Sequence, residues 1–144
     1  MRKALATLLR VREVEKKQAR QAFGEAERAR IAQEGVISSI HAELASARSD
    51  AEARTGGLPA HWLALEHQWR LRKEVELRAE SAVLADRVRV SAGAREALTH
   101  ASRESRVVEA ALEGYDERVA VERRRAEGRK LDATATQRWW RENS

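Results

Sequence analysis

A chain of 144 residues has the length of one domain, yet 87 of them are Ala, Glu, Lys, Leu or Arg, about 60%, a composition typical of coiled coils and long helices. One Pro, seven Gly and only 4% aromatic residues exclude strand-rich folds and leave too few bulky side chains for a compact core. There is no apolar run long enough to span a membrane, Arg10, Arg12 and Glu13 interrupt the apolar stretch at residues 4–9, and the absence of cysteine excludes disulfides and cysteine-ligated metals. The chain therefore reads as soluble and cytoplasmic.

The strongest breaker in the sequence is Thr55-Gly56-Gly57-Leu58-Pro59. A glycine here is expected to close one helix in a left-handed conformation, and Pro59 suits the first turn of the next. The pattern predicts an all-α chain, a single hairpin over 1–144, with helices at 3–55 and 59–142 and a turn at 56–58. In the antiparallel coiled coil this implies, the longer second helix overhangs its partner by about 30 residues, at about 1.5 Å of rise per residue.

Along the first arm, Leu5, Leu8, Arg12, Glu15, Ala19, Ala22, Ala26, Ala29, Gln33, Val36, Ile40, Glu43 and Ala47 recur in steps of three and four, the spacing of a coiled-coil seam. The four successive alanines bring backbones close and bury little area, so pairing should be weak there. On the second arm, Leu98, Ala101, Ser105, Val108, Leu112, Tyr115 and Val119 form a matching seam. Leu77, Leu84 and Val88 lead into it in a related frame, and the register is expected to slip at least once between Trp62 and Leu98.

Charge is segregated. Residues 1–20 carry seven basic and two acidic side chains and residues 117–144 carry eight and five, whereas the intervening stretch is net acidic. A hairpin brings these termini together as a basic open end that seeks an acidic partner. Arginine dominates, with Arg123, Arg124, Arg125 and Arg129 clustered, and its planar fork pairs with carboxylates and phosphates alike.

Catalytic and metal-binding signatures are missing. His61 and His67 are six apart, whereas two helical histidines need a spacing of three or four to face one metal. Gly56-Gly57 lacks the Gly-Lys-Ser/Thr of a phosphate loop, and no cofactor or small-molecule substrate is implied. The aromatics are more informative. Trp62, Leu65 and Trp69 share one helix face just past the turn and serve either as the hairpin tip's own packing against Ile40 and Leu44 or as a docking patch. Trp139 and Trp140 lie on a tail with nothing to cover them, which favours contact with a partner.

The N-terminal stretch Leu5-Ala6-Thr7-Leu8-Leu9-Arg10-Val11-Arg12-Glu13-Val14-Glu15, the Trp62, Leu65 and Trp69 patch, and the C-terminal Glu122-Arg123-Arg124-Arg125-Ala126-Glu127-Gly128-Arg129-Lys130-Leu131-Asp132 together resemble the FliJ family of flagellar export proteins. The central stalk proteins of virulence type III secretion, of the SctO or YscO kind, are the counterparts of that family. Two positions depart from the family's C-terminal pattern: Gly128 stands where it has Gln, and Ala133 where it has Glu. The resemblance implies a non-catalytic central stalk, an antiparallel coiled coil inserted into the hexameric export ATPase and reaching the membrane export gate from the cytoplasmic side. It also implies a link to the recycling of export chaperones. Matched position by position, it assigns Leu5, Leu8, Arg12, Arg124, Lys130, Leu131 and Asp132 to the ATPase and Trp62, Leu65 and Trp69 to the gate. Two rivals remain open: a basic coiled coil that binds nucleic acid, favoured by the pI near 10.2, and a self-associating structural coiled coil.

Overall fold

The computed structural model describes every residue except Thr55 and Leu58. Two helices make up nearly the whole chain, α1 (Arg2–Ala53) of 52 residues and α2 (Ala60–Asn143) of 84 residues, and they pack against each other. The all-α class expected from composition is therefore the one adopted. The last residue of the helix expected at 3–55 and the last of the turn expected at 56–58 are the two outside the described residues.

The Met1 carbonyl accepts the amide of Leu5 at 3.1 Å at the start of α1, and the Pro59 carbonyl accepts Trp62 at 3.0 Å and Leu63 at 3.2 Å at the start of α2. Proline suits that place because it gives up only an N–H that a helix start leaves unused. At the far end of α2, the Asn143 side-chain amide donates to the Trp139 carbonyl at 2.9 Å. One expectation fails here. No described glycine has a positive φ, so neither Gly56 nor Gly57 closes α1 in the left-handed conformation. The chain leaves α1 through Arg54 and a bend at Gly56.

By contact density the chain divides into two units, Gln18–Thr99 and Met1–Lys17 with His100–Ser144. In the first, Ala26, Ile40 and Ser91 are buried. They belong to α1 positions 19, 23, 26, 30, 33, 37, 40, 44, 47 and 51 and α2 positions 66, 70, 73, 77, 80, 84, 91, 94 and 98, which are all shielded. Cross-helix polar contacts tie the unit together. Ser91 donates to Glu27, Gln33 donates to the carbonyl and carboxylate of Glu80, and Lys73 Nζ lies 2.6 Å from Glu43. In the second unit, Ala101, Ser105 and Val108 are buried. Ser105 donates to Glu13, Arg2 pairs with Asp116 at 2.9 Å, and Arg12 lies 3.8 Å from Glu104.

These positions correct the expected seam. Leu5, Arg12, Ala19, Ala26, Gln33, Ile40 and Ala47 are in it, but the alternate row is Leu9, Lys16, Phe23, Arg30, Ile37 and Leu44. Leu8, Glu15, Ala22, Val36 and Glu43 are instead exposed, and Ala29 is only half-buried. The reason is bulk: the adopted row shields Phe23 in place of Ala22 and Leu44 in place of Glu43, and apolar area drives the choice. It costs the placement of Lys16 and Arg30 at the seam, where long stems cover apolar surface and the charged heads reach outward. Arg30 pairs with Glu27 at 2.7 Å and Glu34 at 2.5 Å. On α2, the expected Leu98 to Tyr115 row is shielded at every position, and Val119 is 38% exposed. The slip expected between Trp62 and Leu98 does not occur, because the four-three spacing runs from Glu66 through Lys73, Glu80 and Ser91, where polar side chains occupy the seam. Val88 lies outside it and is exposed.

The two candidate rows predict different costs of truncation. Ile37→Ala should lower the unfolding free energy by about 2 kcal/mol and its neighbour Val36→Ala by under about 1 kcal/mol, read from urea unfolding followed by circular dichroism. The reverse order would place the seam on the Val36 row. Glu27 supplies a pH signature. The hydrogen bond from Arg30, then that from Ser91, lowers its carboxyl to about 2 from the ordinary 4.5. A carboxylate depressed in the folded state contributes stability above the unfolded value and loses it as pH falls through the folded one. Between pH 4.5 and 2, the melting temperature of the parent chain should therefore fall more steeply than that of Glu27→Gln. Parallel pH profiles would remove Glu27 from the stability of the pair.

Candidate functional site

Two regions carry the residues singled out by sequence, one in each unit. In the unit Gln18–Thr99, Trp62, Leu65 and Trp69 line one cleft of about 360 Å³ with Glu66, so the shared face inferred from their spacing is real. Ala47 and Asp50 of α1 and Arg54 just beyond it form the other wall. Trp62 is 55% and Leu65 51% exposed, whereas Trp69 is half-buried. The patch is thus neither a packed core nor a free surface: one indole is anchored, and the other two apolar side chains face solvent.

Charged groups frame the cleft. Glu66 is held by Arg70 at 3.3 Å and by Arg54 at 4.0 Å. Lys73 Nζ sits 5.8 Å from the centroid of the Trp69 ring, within range of a cation–π attraction. Glu43 and Glu76, at 2.6 and 3.4 Å, fix Lys73 there, and the hydrogen bond that Lys73 donates to Glu43 is the main cause that raises its pKa. Helix spacing puts Lys73 beside Trp69, four residues on along α2, but it does not reveal Asp50 or Arg54 as parts of this site. Their signal lies in the four-three count on α1, which puts Ala47 and Ala51 in the seam and leaves Asp50 beside it.

The second region belongs to the unit formed by Met1–Lys17 and His100–Ser144. Leu5 and Arg12 lie in the seam, where Arg12 pairs with Glu15 at 3.0 Å and its Nε is buried without a hydrogen-bond partner among the described residues. Leu8 flanks the seam and is 39% exposed. Arg124, Lys130, Leu131 and Asp132 are exposed on α2, with Leu131 at 70%. Residues 123–141 contain seven cationic side chains against two carboxylates, and none of the seven is ion-paired among the described residues. Trp139 and Trp140 are both exposed, with ring centroids 5.2 Å apart in an edge-to-face pair. The triple arginine Arg123 to Arg125 spreads its charge over about 200° of the helix circumference, since successive residues turn by about 100°.

Among the described residues, no group of three or more His, Cys, Asp or Glu side chains is placed to hold a metal, and no helix is long and apolar enough to cross a membrane. What the two regions offer is surface: a framed aromatic cleft and an unpaired cationic helix. They define an all-helical protein whose conspicuous features are contact surfaces. The chain matches the family described as Flagellar FliJ protein over residues 1–144 and belongs to that family. It is thereby a flagellar export-related protein of a structural rather than enzymatic family. No curated protein and no solved structure gave a match.

Proposed function

We propose that the chain is the central stalk of a flagellar export apparatus, an antiparallel coiled-coil hairpin that couples the hexameric export ATPase to the membrane export gate. The observation that carries this reading is the exposure, in separate units, of the two residue sets that the resemblance assigns to different partners. Arg124, Lys130, Leu131 and Asp132 are open in one, and Trp62 and Leu65 are open in the other. The antiparallel arrangement is supported within each unit: the α2 number falls as the α1 number rises from Arg2 with Asp116 to Arg12 with Glu104 in one, and from Glu27 with Ser91 to Glu43 with Lys73 in the other. The last pairing of α1 is at Asp116, which supports an overhang of α2 beyond it. The protein acts from the cytoplasm, peripheral to the inner membrane, and meets export chaperones as its family does.

In this reading the ATPase end is the cationic part of α2, because unpaired arginines gain most from a carboxylate-lined pore. On α1, Leu8 is the exposed apolar member of the set assigned to the ATPase. Leu5 and Arg12 lie in the seam, with Arg12 fastened to Glu15 and Glu104. The gate end is the cleft, where the half-buried indole of Trp69 suits a binding hot spot.

Separate variants test the two ends. Arg124→Glu combined with Arg125→Glu should weaken binding to the export ATPase about tenfold or more at low salt and flatten its salt dependence, with helicity retained. Trp69→Ala should leave that binding near wild type and weaken binding to the cytoplasmic domain of the gate about 30-fold. Unchanged ATPase binding by the charge-reversed chain would overturn the stalk assignment. Tight DNA binding with a steep salt slope would move the protein to the nucleic-acid class. Melting of the chain by Trp69→Ala, without a separate binding defect, would make the patch the tip's own packing.

A further inference from the structure

The cleft at Trp62, Leu65 and Trp69 has a chemistry that narrows what can occupy it. Its walls are not uniformly apolar: two indoles and a leucine share it with the carboxylates of Asp50 and Glu66. Glu66 already has Arg54 and Arg70. Asp50 is exposed and has no cation within ion-pair distance among the described residues. An apolar side chain that filled the cleft would strip water from Asp50 and return nothing to it, a recognised cost of covering an unpaired charge. A cationic side chain removes that cost. Trp69 already receives a cation, since Lys73 lies over its ring, and the exposed Trp62 supplies a second indole at the cleft.

We propose that this cleft binds an arginine side chain of the partner protein, its stem and guanidinium plane covered by Trp62 and Trp69 and its fork received by Asp50. The identity of that partner as the export gate rests on the stalk reading above; the cationic specificity does not. Arginine fits better than lysine for two reasons. The planar guanidinium stacks on indole faces and is weakly hydrated, whereas an ammonium is compact and holds its water. The guanidinium also offers two parallel N–H donors to one carboxylate, which Asp50 can accept in full. Arg54, already turned toward Glu66, keeps that carboxylate neutralised, so Asp50 is the group left to select the charge.

The test uses the full chain in solution. The indole N–H resonances of Trp62 and Trp69, assigned with Trp62→Phe and Trp69→Phe, are followed while ethylguanidinium, ethylammonium or n-propanol is added, with Trp139 and Trp140 as internal references. Ethylguanidinium should shift the Trp62 and Trp69 signals saturably, with an apparent affinity about threefold or more above that of ethylammonium, and n-propanol should give no saturable shift. Asp50→Asn, at an exposed position, should lower the ethylguanidinium affinity by a similar factor with helicity unchanged. A saturable n-propanol response of equal strength, an ethylammonium response as strong as that to ethylguanidinium, no saturable response at all, or indifference to Asp50→Asn would each overturn the inference. Gate binding measured on the same samples separates the two readings. A guanidinium response in a chain that does not bind the gate would sink the stalk reading and leave the arginine site standing. Gate binding that survives Asp50→Asn undiminished would leave the stalk and remove the arginine from it.

Discussion

Two helices alone can bury only one stripe each, and that geometric limit governs everything else in this protein. With 3.6 residues per turn, only the positions at steps of three and four face a partner, and the remaining surface stays wet. Here the stripe is thinly filled: among the described residues, Ala26, Ile40, Ala101 and Val108 are the buried apolar side chains, and two of them are alanines. A seam with so little volume cannot fix its own alignment by hydrophobic contact alone, because alanine packs nearly as well one turn away.

Polar side chains supply the alignment. Ser91 on Glu27, Ser105 on Glu13, Gln33 on Glu80 and Lys73 on Glu43 each satisfy a donor only in the register adopted. A shift of one turn would separate these partners and leave the hydroxyl of Ser105, a residue 1% exposed, without its acceptor. Buried polar groups at seam positions are known to set register at a cost in stability, and the small size of Ser91 and Ser105 keeps that cost low. Surface pairs within one helix, such as Arg48 with Glu52, contribute little and specify nothing between helices. The same narrow seam explains why contact surfaces are plentiful. Trp62 and Leu65 beside the cleft and Leu131, Trp139 and Trp140 on the tail all lie off the packed rows or beyond them.

Much of this was legible in the sequence, and the limits have physical causes. The helical class follows from composition, and the row Leu98 to Tyr115 is plain because apolar residues fill most of it. On α1 the pattern offers two rows, since Ala19, Ala26 and Ala47 fit beside either; only the volumes of Phe23, Ile37 and Leu44 decide between them. The apparent slip before Leu98 arises because Lys73, Glu80 and Ser91 hold seam positions that a hydrophobicity pattern does not recognise. Spacing places Trp62, Leu65 and Trp69 together, because that is a property of one helix. Lys73, four residues after Trp69, joins them by that same property, whereas Asp50 and Arg54 join through the packing of α1 on α2, which sequence spacing within either helix does not encode.

The central proposal is that α1 and α2 of one molecule run antiparallel. The chain has no native cysteine, so a disulfide can report it without interference. In Gln33→Cys with Glu80→Cys, mild oxidation of dilute protein should close a disulfide within the monomer, identified by mass spectrometry, with helicity preserved. Disulfides that form only between molecules, or none at all, would contradict the pairing on which the account depends.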